Sequence, residues 1–123
     1  MERGTISMEE NKVVIKSIDG TVWLTQSQIA DLFECFTGKV SSNIRAILKT
    51  GVLDEREVCK THHYKNGNFV EIFNLEMITA LSFRIKSRNA GLFRSFIMKK
   101  AVANAERPIL MIRDGDICNF YLN

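Results

Sequence analysis

Proline occurs once in this chain, at Pro108, tryptophan once, at Trp23, and cysteine three times, at Cys35, Cys59 and Cys118. Three scattered thiols in no paired spacing argue against a disulfide framework and fit a reducing compartment. No apolar run approaches the ~20 residues that a bilayer span requires. The opening Met1-Glu2-Arg3-Gly4-Thr5 lacks the apolar stretch of a signal peptide. A soluble, cytoplasmic protein is expected. There is no glycine-rich phosphate loop, no Gly-x-Ser-x-Gly and no acid pair beside a nucleophile. Cys59, His62 and His63 form a cluster that resembles a ligand set or a thiol–imidazole couple. On a strand, however, Cys59 and His63 point one way and His62 the other. No second Cys or His pair lies near enough to complete a tetrahedral site. No catalytic residue, metal or cofactor is therefore expected, and the chain does not read as an enzyme.

What remains is an ordinary globular composition. The 123 residues are 46% hydrophobic and 25% charged, enough for one domain with a core. The formal net charge is +3, mildly basic. Its distribution is more informative. Residues 1–34 lean acidic through Glu2, Glu9, Glu10, Asp19, Asp31 and Glu34. From Arg84 to Ala105 the charged residues are all basic: Arg84, Lys86, Arg88, Arg94, Lys99 and Lys100. Such a split suggests one face toward an anion and another away from it, with a solvated basic helix face as the simpler alternative.

Local signals predict an α+β domain with small β-hairpins and about four helices. Residues 1–11 are polar and expected to fray. Lys12–Lys16 and Thr21–Leu24 read as the strands of a small hairpin turning at Asp19-Gly20. Thr25-Gln26-Ser27-Gln28 matches a capping box, with Leu24 and Ile29 placed as a hydrophobic staple. Ile29, Leu32 and Phe33 then share one helical face. Thr37 is the next expected cap, followed by Val40, Ile44, Ile47 and Leu48 at helical spacing and Gly51 at the stop. A link of only Glu34 to Phe36 suits a helix-turn-helix better than a helical hairpin. Val58–Tyr64 and Phe69–Phe73 flank Asn66-Gly67, a strong hairpin signal that would supply a wing. Asn74 is placed to cap a third helix with the stripe Met77, Ile78, Leu81 and Ile85. A fourth helix is expected from about Ala90 to Ala105, burying Leu92, Phe93, Phe96 and Ile97 and stopped by Pro108. The expected domain is a winged helix-turn-helix over residues 12–106. Residues 107–123, with Asp114-Gly115, form either a terminal hairpin or a flexible tail.

In a helix-turn-helix the second helix presents its N-terminal residues to base edges in the major groove. With Val40, Ile44 and Ile47 inward, the free face offers Lys39, Ser41, Ser42, Arg45 and Lys49. Arg45 suits a bidentate contact to guanine, Ser42 a base edge or phosphate, and Lys39 and Lys49 phosphates. Backbone amides at the two helix starts can also hold phosphate, helped by Thr25, Gln26, Thr37 and Lys39. Lys65 and Asn66, at the wing tip, can reach the adjacent backbone or minor groove. The expected partner is double-stranded DNA, with a homodimer compatible with such a module. The alternative is a protein-interaction module on the same scaffold, using the region from Arg84 to Lys100 or the terminal hairpin.

The run from Asp19 through Trp23, Leu24, Thr25, Gln26, Gln28, Ile29, Ala30, Leu32 and Phe33 resembles the N-terminal signature of the RhuM family of bacterial virulence-associated proteins. The likeness continues through Val40-Ser41 and Ile44, Gly51 with Leu53-Asp54-Glu55, and Val58-Cys59. It takes in Phe73-Asn74-Leu75, Phe83-Arg84-Ile85 with Ser87, and Phe93-Arg94, covering most of residues 12–105. The resemblance implies a DNA-binding, winged-helix-like domain akin to phage and mobile-element regulators, acting in transcription regulation. Family members usually carry a small residue where Glu34 stands and a polar cap where Phe36 stands.

Overall fold

The computed structural model describes residues 3–105, and within them a hairpin comes first. Strand β1 (Thr5–Glu9) pairs antiparallel with β2 (Lys12–Lys16), matching Ile6 with Ile15 and Met8 with Val13. Glu10 and Asn11 turn the chain with φ of 50° and 65°, the left-handed pair that a two-residue hairpin turn requires. Two expectations are corrected here. Residues 5–9 are a strand and not a frayed end, because Ile6 and Met8 pack with Val13 and Ile15 against the core. The partner of Lys12–Lys16 is β1 and not Thr21–Leu24. Asp19-Gly20 does form a tight turn, but it closes a single bridge between Ile18 and Thr21.

The second sheet has three antiparallel strands in the order β3 (Leu24–Thr25), β5 (Phe69–Phe73), β4 (Cys59–His63). Leu24 pairs with Phe73 and Thr25 with Ile72, while Cys59 pairs with Phe73 and His63 with Phe69. The β4–β5 turn has Gly67 at φ 92°, with Tyr64 N–H donating to Asn68 O at 2.8 Å. That is a three-residue loop closed by a glycine bulge. β4 starts one residue later than expected, because Val58 ends a short helix.

Five helices occur among the described residues, one more than expected. α1 (Gln26–Phe33) starts on the expected capping box: Gln28 N–H donates to Thr25 Oγ1 at 3.1 Å, and Thr25 N–H to Gln28 Oε1 at 2.9 Å. Its stripe of Ile29, Ala30, Leu32 and Phe33 is buried. After Glu34, Cys35 and Phe36 comes α2 (Thr37–Thr50), which buries Val40, Ile44 and Ile47 and stops at Gly51 with φ 78°. Its N-cap is Phe36, with no side-chain hydrogen bond. The expected cap at Thr37 is therefore displaced by one residue, Thr37 being the first helical position. The additional helix is α3 (Glu55–Val58), too short to show a periodic stripe. Asp54 caps it, its carboxylate accepting from Arg56 N–H at 2.9 Å.

α4 (Leu75–Ser82) starts as expected at Asn74, whose side chain accepts from Met77 N–H at 3.2 Å. α5 (Arg88–Ala105) starts two residues earlier than expected, and Ser87 Oγ accepts from Ala90 N–H at 3.1 Å. The expected stripe on α5 is only partly realised. Phe93 is fully buried and meets Phe33 edge to face at 5.7 Å, whereas Leu92, Phe96 and Ile97 are half-covered. The core joins α1, α2, α4 and the first half of α5 to the three-stranded sheet through residues such as Phe33, Phe73, Met77, Ile78 and Ile85. Pro108 and the expected hairpin around Asp114-Gly115 lie outside the described residues. No helix among the described residues is long and apolar enough to cross a membrane.

Candidate nucleic-acid interface

The helical repeat places Gly38, Ser42, Arg45 and Lys49 along one line of α2, opposite Val40, Ile44 and Ile47. All four are exposed, as is Lys39 at the edge of that line. Ser41 is half-buried and accepts a hydrogen bond from Arg45 Nη1 at 2.9 Å, which folds the guanidinium back along the helix. Ser42 Oγ donates to Lys39 O at 3.2 Å, a local bond that hydroxyl rotation can release. No acidic side chain lies anywhere on α2, so its outer face carries only positive charge.

Two helix starts and the turn-side half of the β4–β5 hairpin open on one cleft of about 490 Å³. Gln26 and Thr37 line it from the helices, Glu71 from strand β5 and Tyr64 from the turn that follows β4. Thr25 lines it too, but the residue is only 9% exposed and its hydroxyl holds the α1 cap. Its role is to fix the helix start that faces the cleft. Lys65 is exposed at the hairpin tip. Asn66 Oδ1 accepts from Asn68 N–H at 3.0 Å and so organises that tip. The predicted residues thus fall into two groups: the line along α2, and the cleft with the hairpin beside it.

The basic segment after Arg84 behaves differently from its sequence pattern. Arg84 Nε donates to Asn43 Oδ1 at 3.0 Å and so ties the end of α4 to α2. Arg88 donates to Asn11 Oδ1 in the first hairpin. Arg94 Nη1 donates to the carbonyls of Ser82 and Ile85, which follow or end α4 and lack intrahelical partners. Half of the expected cationic set therefore holds the fold together. Lys86, Lys99 and Lys100 are exposed, and the Lys100 ammonium lies 5.6 Å from the Phe96 ring centre.

Glu34 takes a left-handed conformation, φ 52°, in the turn between α1 and α2. Its carboxylate accepts from the buried Asn89 amide at 2.9 Å, and the same nitrogen donates to Leu32 O at 2.9 Å. The turn before α2 is thereby clamped to α5. Phe36, at the other end of that turn, is 88% exposed. Sequence reasoning missed both Phe36 and Tyr64 as site residues. The available signal was an aromatic residue where a helix start favours Ser, Thr, Asn or Asp.

The Cys59 thiol is held in its protonated form. Burial, the hydrogen bond to Glu71 at 3.5 Å and the charges of Glu71 and Glu55 push its thiol from 9.0 up to about 12. Among the described residues, no three His, Cys, Asp or Glu side chains gather as a metal-binding group. No protein-family model, curated protein or solved structure matches this chain.

Proposed function

We propose that this chain binds double-stranded DNA, with α2 as the recognition helix and the β4–β5 hairpin as a wing. The observation that carries the reading is the shared cleft, where the starts of α1 and α2 meet the turn-side half of the hairpin. Phosphate binds at such helix starts through backbone amides and the helix dipole. The acid-free outer line of Gly38, Ser42, Arg45 and Lys49 leads away from it. The order β3-β5-β4, with α1, α2 and α3 inserted between β3 and β4 in the chain, is compatible with a winged helix and supports the reading. A regulator of transcription or of a mobile element, of the RhuM type, is the biological role proposed with it.

A polarisation titration against genomic duplex fragments tests the reading. Binding is expected at low salt, weakening steeply as salt rises, because phosphate contacts release counterions. Lys39→Ala with Arg45→Ala is expected to weaken it strongly. Absence of binding at low salt, or indifference to the double substitution, overturns the proposal.

A second reading, a protein contact or homodimer, draws on the outer half of α5, where Met98 and Val102 are more than half exposed. Light scattering on the full chain separates a monomer from a dimer and so tests that reading independently of DNA.

A further inference from the structure

Phe36 departs from local preference in two ways at once. It starts α2 without a side-chain hydrogen bond, although Phe36 O accepts from Lys39 N–H at 3.0 Å and the backbone has the extended conformation of an N-cap. A serine or aspartate there would satisfy a free amide. It also exposes an aromatic ring almost completely, at 88%. Neither departure has a compensating contact in the core. Residues that break local rules without structural gain are where function is expected to reside.

The backbone that carries the ring is held in place. Cys35 N–H donates to Ala30 O at 3.0 Å, Glu34 is held by Asn89, and Val40, one turn into α2, is fully buried. The turn thus carries Phe36 on a fixed support at the leading end of α2, one residue before Thr37 and three before Lys39. In a helix-turn-helix, this end of the second helix meets base edges. A phenyl ring offers no hydrogen bond to donors or acceptors there. The apolar feature that the major groove presents is the C5-methyl group of thymine.

We infer that Phe36 is a specificity-determining residue whose ring contacts the C5-methyl of a thymine in the major groove. The inference rests on the DNA-binding reading above and adds to it a base and an atom. Replacing thymine by deoxyuridine removes that methyl and leaves base pairing intact.

The test uses the full chain and a duplex selected from a random pool, with each thymine replaced singly by deoxyuridine. Affinities are measured at low salt, where phosphate contacts keep variants bound. One or two replacements are expected to weaken wild-type binding by roughly three- to fivefold, the worth of one buried methyl-sized group. Phe36→Ala should lose that penalty while keeping the wild-type salt dependence. Phe36→Ser supplies the missing cap, so its melting temperature should rise by roughly 3–5 °C while the penalty disappears. If the penalty persists in both variants, or no thymine shows one in the wild type, the assignment to Phe36 is overturned while DNA binding stands. If the wild type binds no duplex, the DNA-binding reading itself fails.

Discussion

The side-chain amide of Asn89 donates to both the Glu34 carboxylate and the Leu32 carbonyl, each at 2.9 Å, from a position nearly sealed from solvent. One group on α5 therefore fixes the end of α1 and the strained residue that follows it. Asn89→Ala leaves the Leu32 carbonyl without this donor and is expected to cost about 1–3 kcal/mol. That lowers the melting temperature by roughly 3–5 °C for each kcal/mol in a domain this size. Asn89→Asp sets a carboxylate against a carbonyl and a second carboxylate, so its melting temperature should fall further. Thermal unfolding followed by circular dichroism checks the order.

The exposed cations of α2 should divide by chemistry. Lys39→Ala and Lys49→Ala are expected to weaken binding equally for selected and random duplexes, with the salt slope falling by about 0.9 for each phosphate left unneutralised. Arg45→Ala should instead cost about 1–3 kcal/mol on the selected sequence and little on random DNA. Equal losses of Arg45→Ala on both duplexes would remove it from base readout.

Two glycines should respond in opposite directions. A Cβ at Gly4 would lie 2.5 Å from the Lys16 carbonyl oxygen, at a φ of 76°. The left-handed backbone alone disfavours Gly4→Ala by about 1–2 kcal/mol, and the clash adds to it. A Cβ at Gly38 would meet nothing within 4 Å on the outer line of α2. Gly38→Ala is expected to stabilise the helix by about 0.5–1 kcal/mol. It should nevertheless weaken DNA binding by holding a phosphate away from the backbone. Paired melting and polarisation measurements read both effects.

Cys59 provides a pH test. Between 9.0 and about 12 the unfolded chain releases a proton that the folded chain keeps. Stability from this thiol is therefore fully present below pH 9 and lost as pH rises toward 12. At pH 8.5, iodoacetamide should label Cys59 far more slowly in the folded chain than in urea, as read by peptide mass spectrometry. Glu71→Gln removes the neighbouring charge and should quicken labelling in the folded state. A folded rate equal to the unfolded one would contradict the shift.

The features legible in the sequence are those decided within one turn of chain. The capping box of Thr25 and Gln28, the Asn74 cap and the turn at Gly67 each depend on residues three or four apart. Thr37 misled because the αL turn at Glu34 lets α2 begin one residue sooner, on a side chain that cannot cap. Strand partners were harder. Asp19-Gly20 is a stronger turn signal than Glu10-Asn11, yet cross-strand packing of Ile6 with Ile15 and Met8 with Val13 decides the pairing. The roles of Arg84, Arg88 and Arg94 were hidden for the same reason. Their acceptors, Asn43, Asn11 and the end of α4, are brought near only by the tertiary fold. Of the candidate interface, the charges on α2 were visible in advance, whereas the cleft and the exposure of Phe36 arise only once the helices and the hairpin have packed.

All residues of α5 from Met98 to Ala105 are exposed. This outer part buries no side chain fully, and its described residues are fewer than the ~12–15 at which an isolated helix becomes even marginally stable in water. Its helicity is inherited from the anchored half around Asn89, Ala90 and Phe93, as a crystal grows from a seed. Amide exchange should therefore quicken turn by turn along α5, making the helix a gauge of how firmly its anchored half is held.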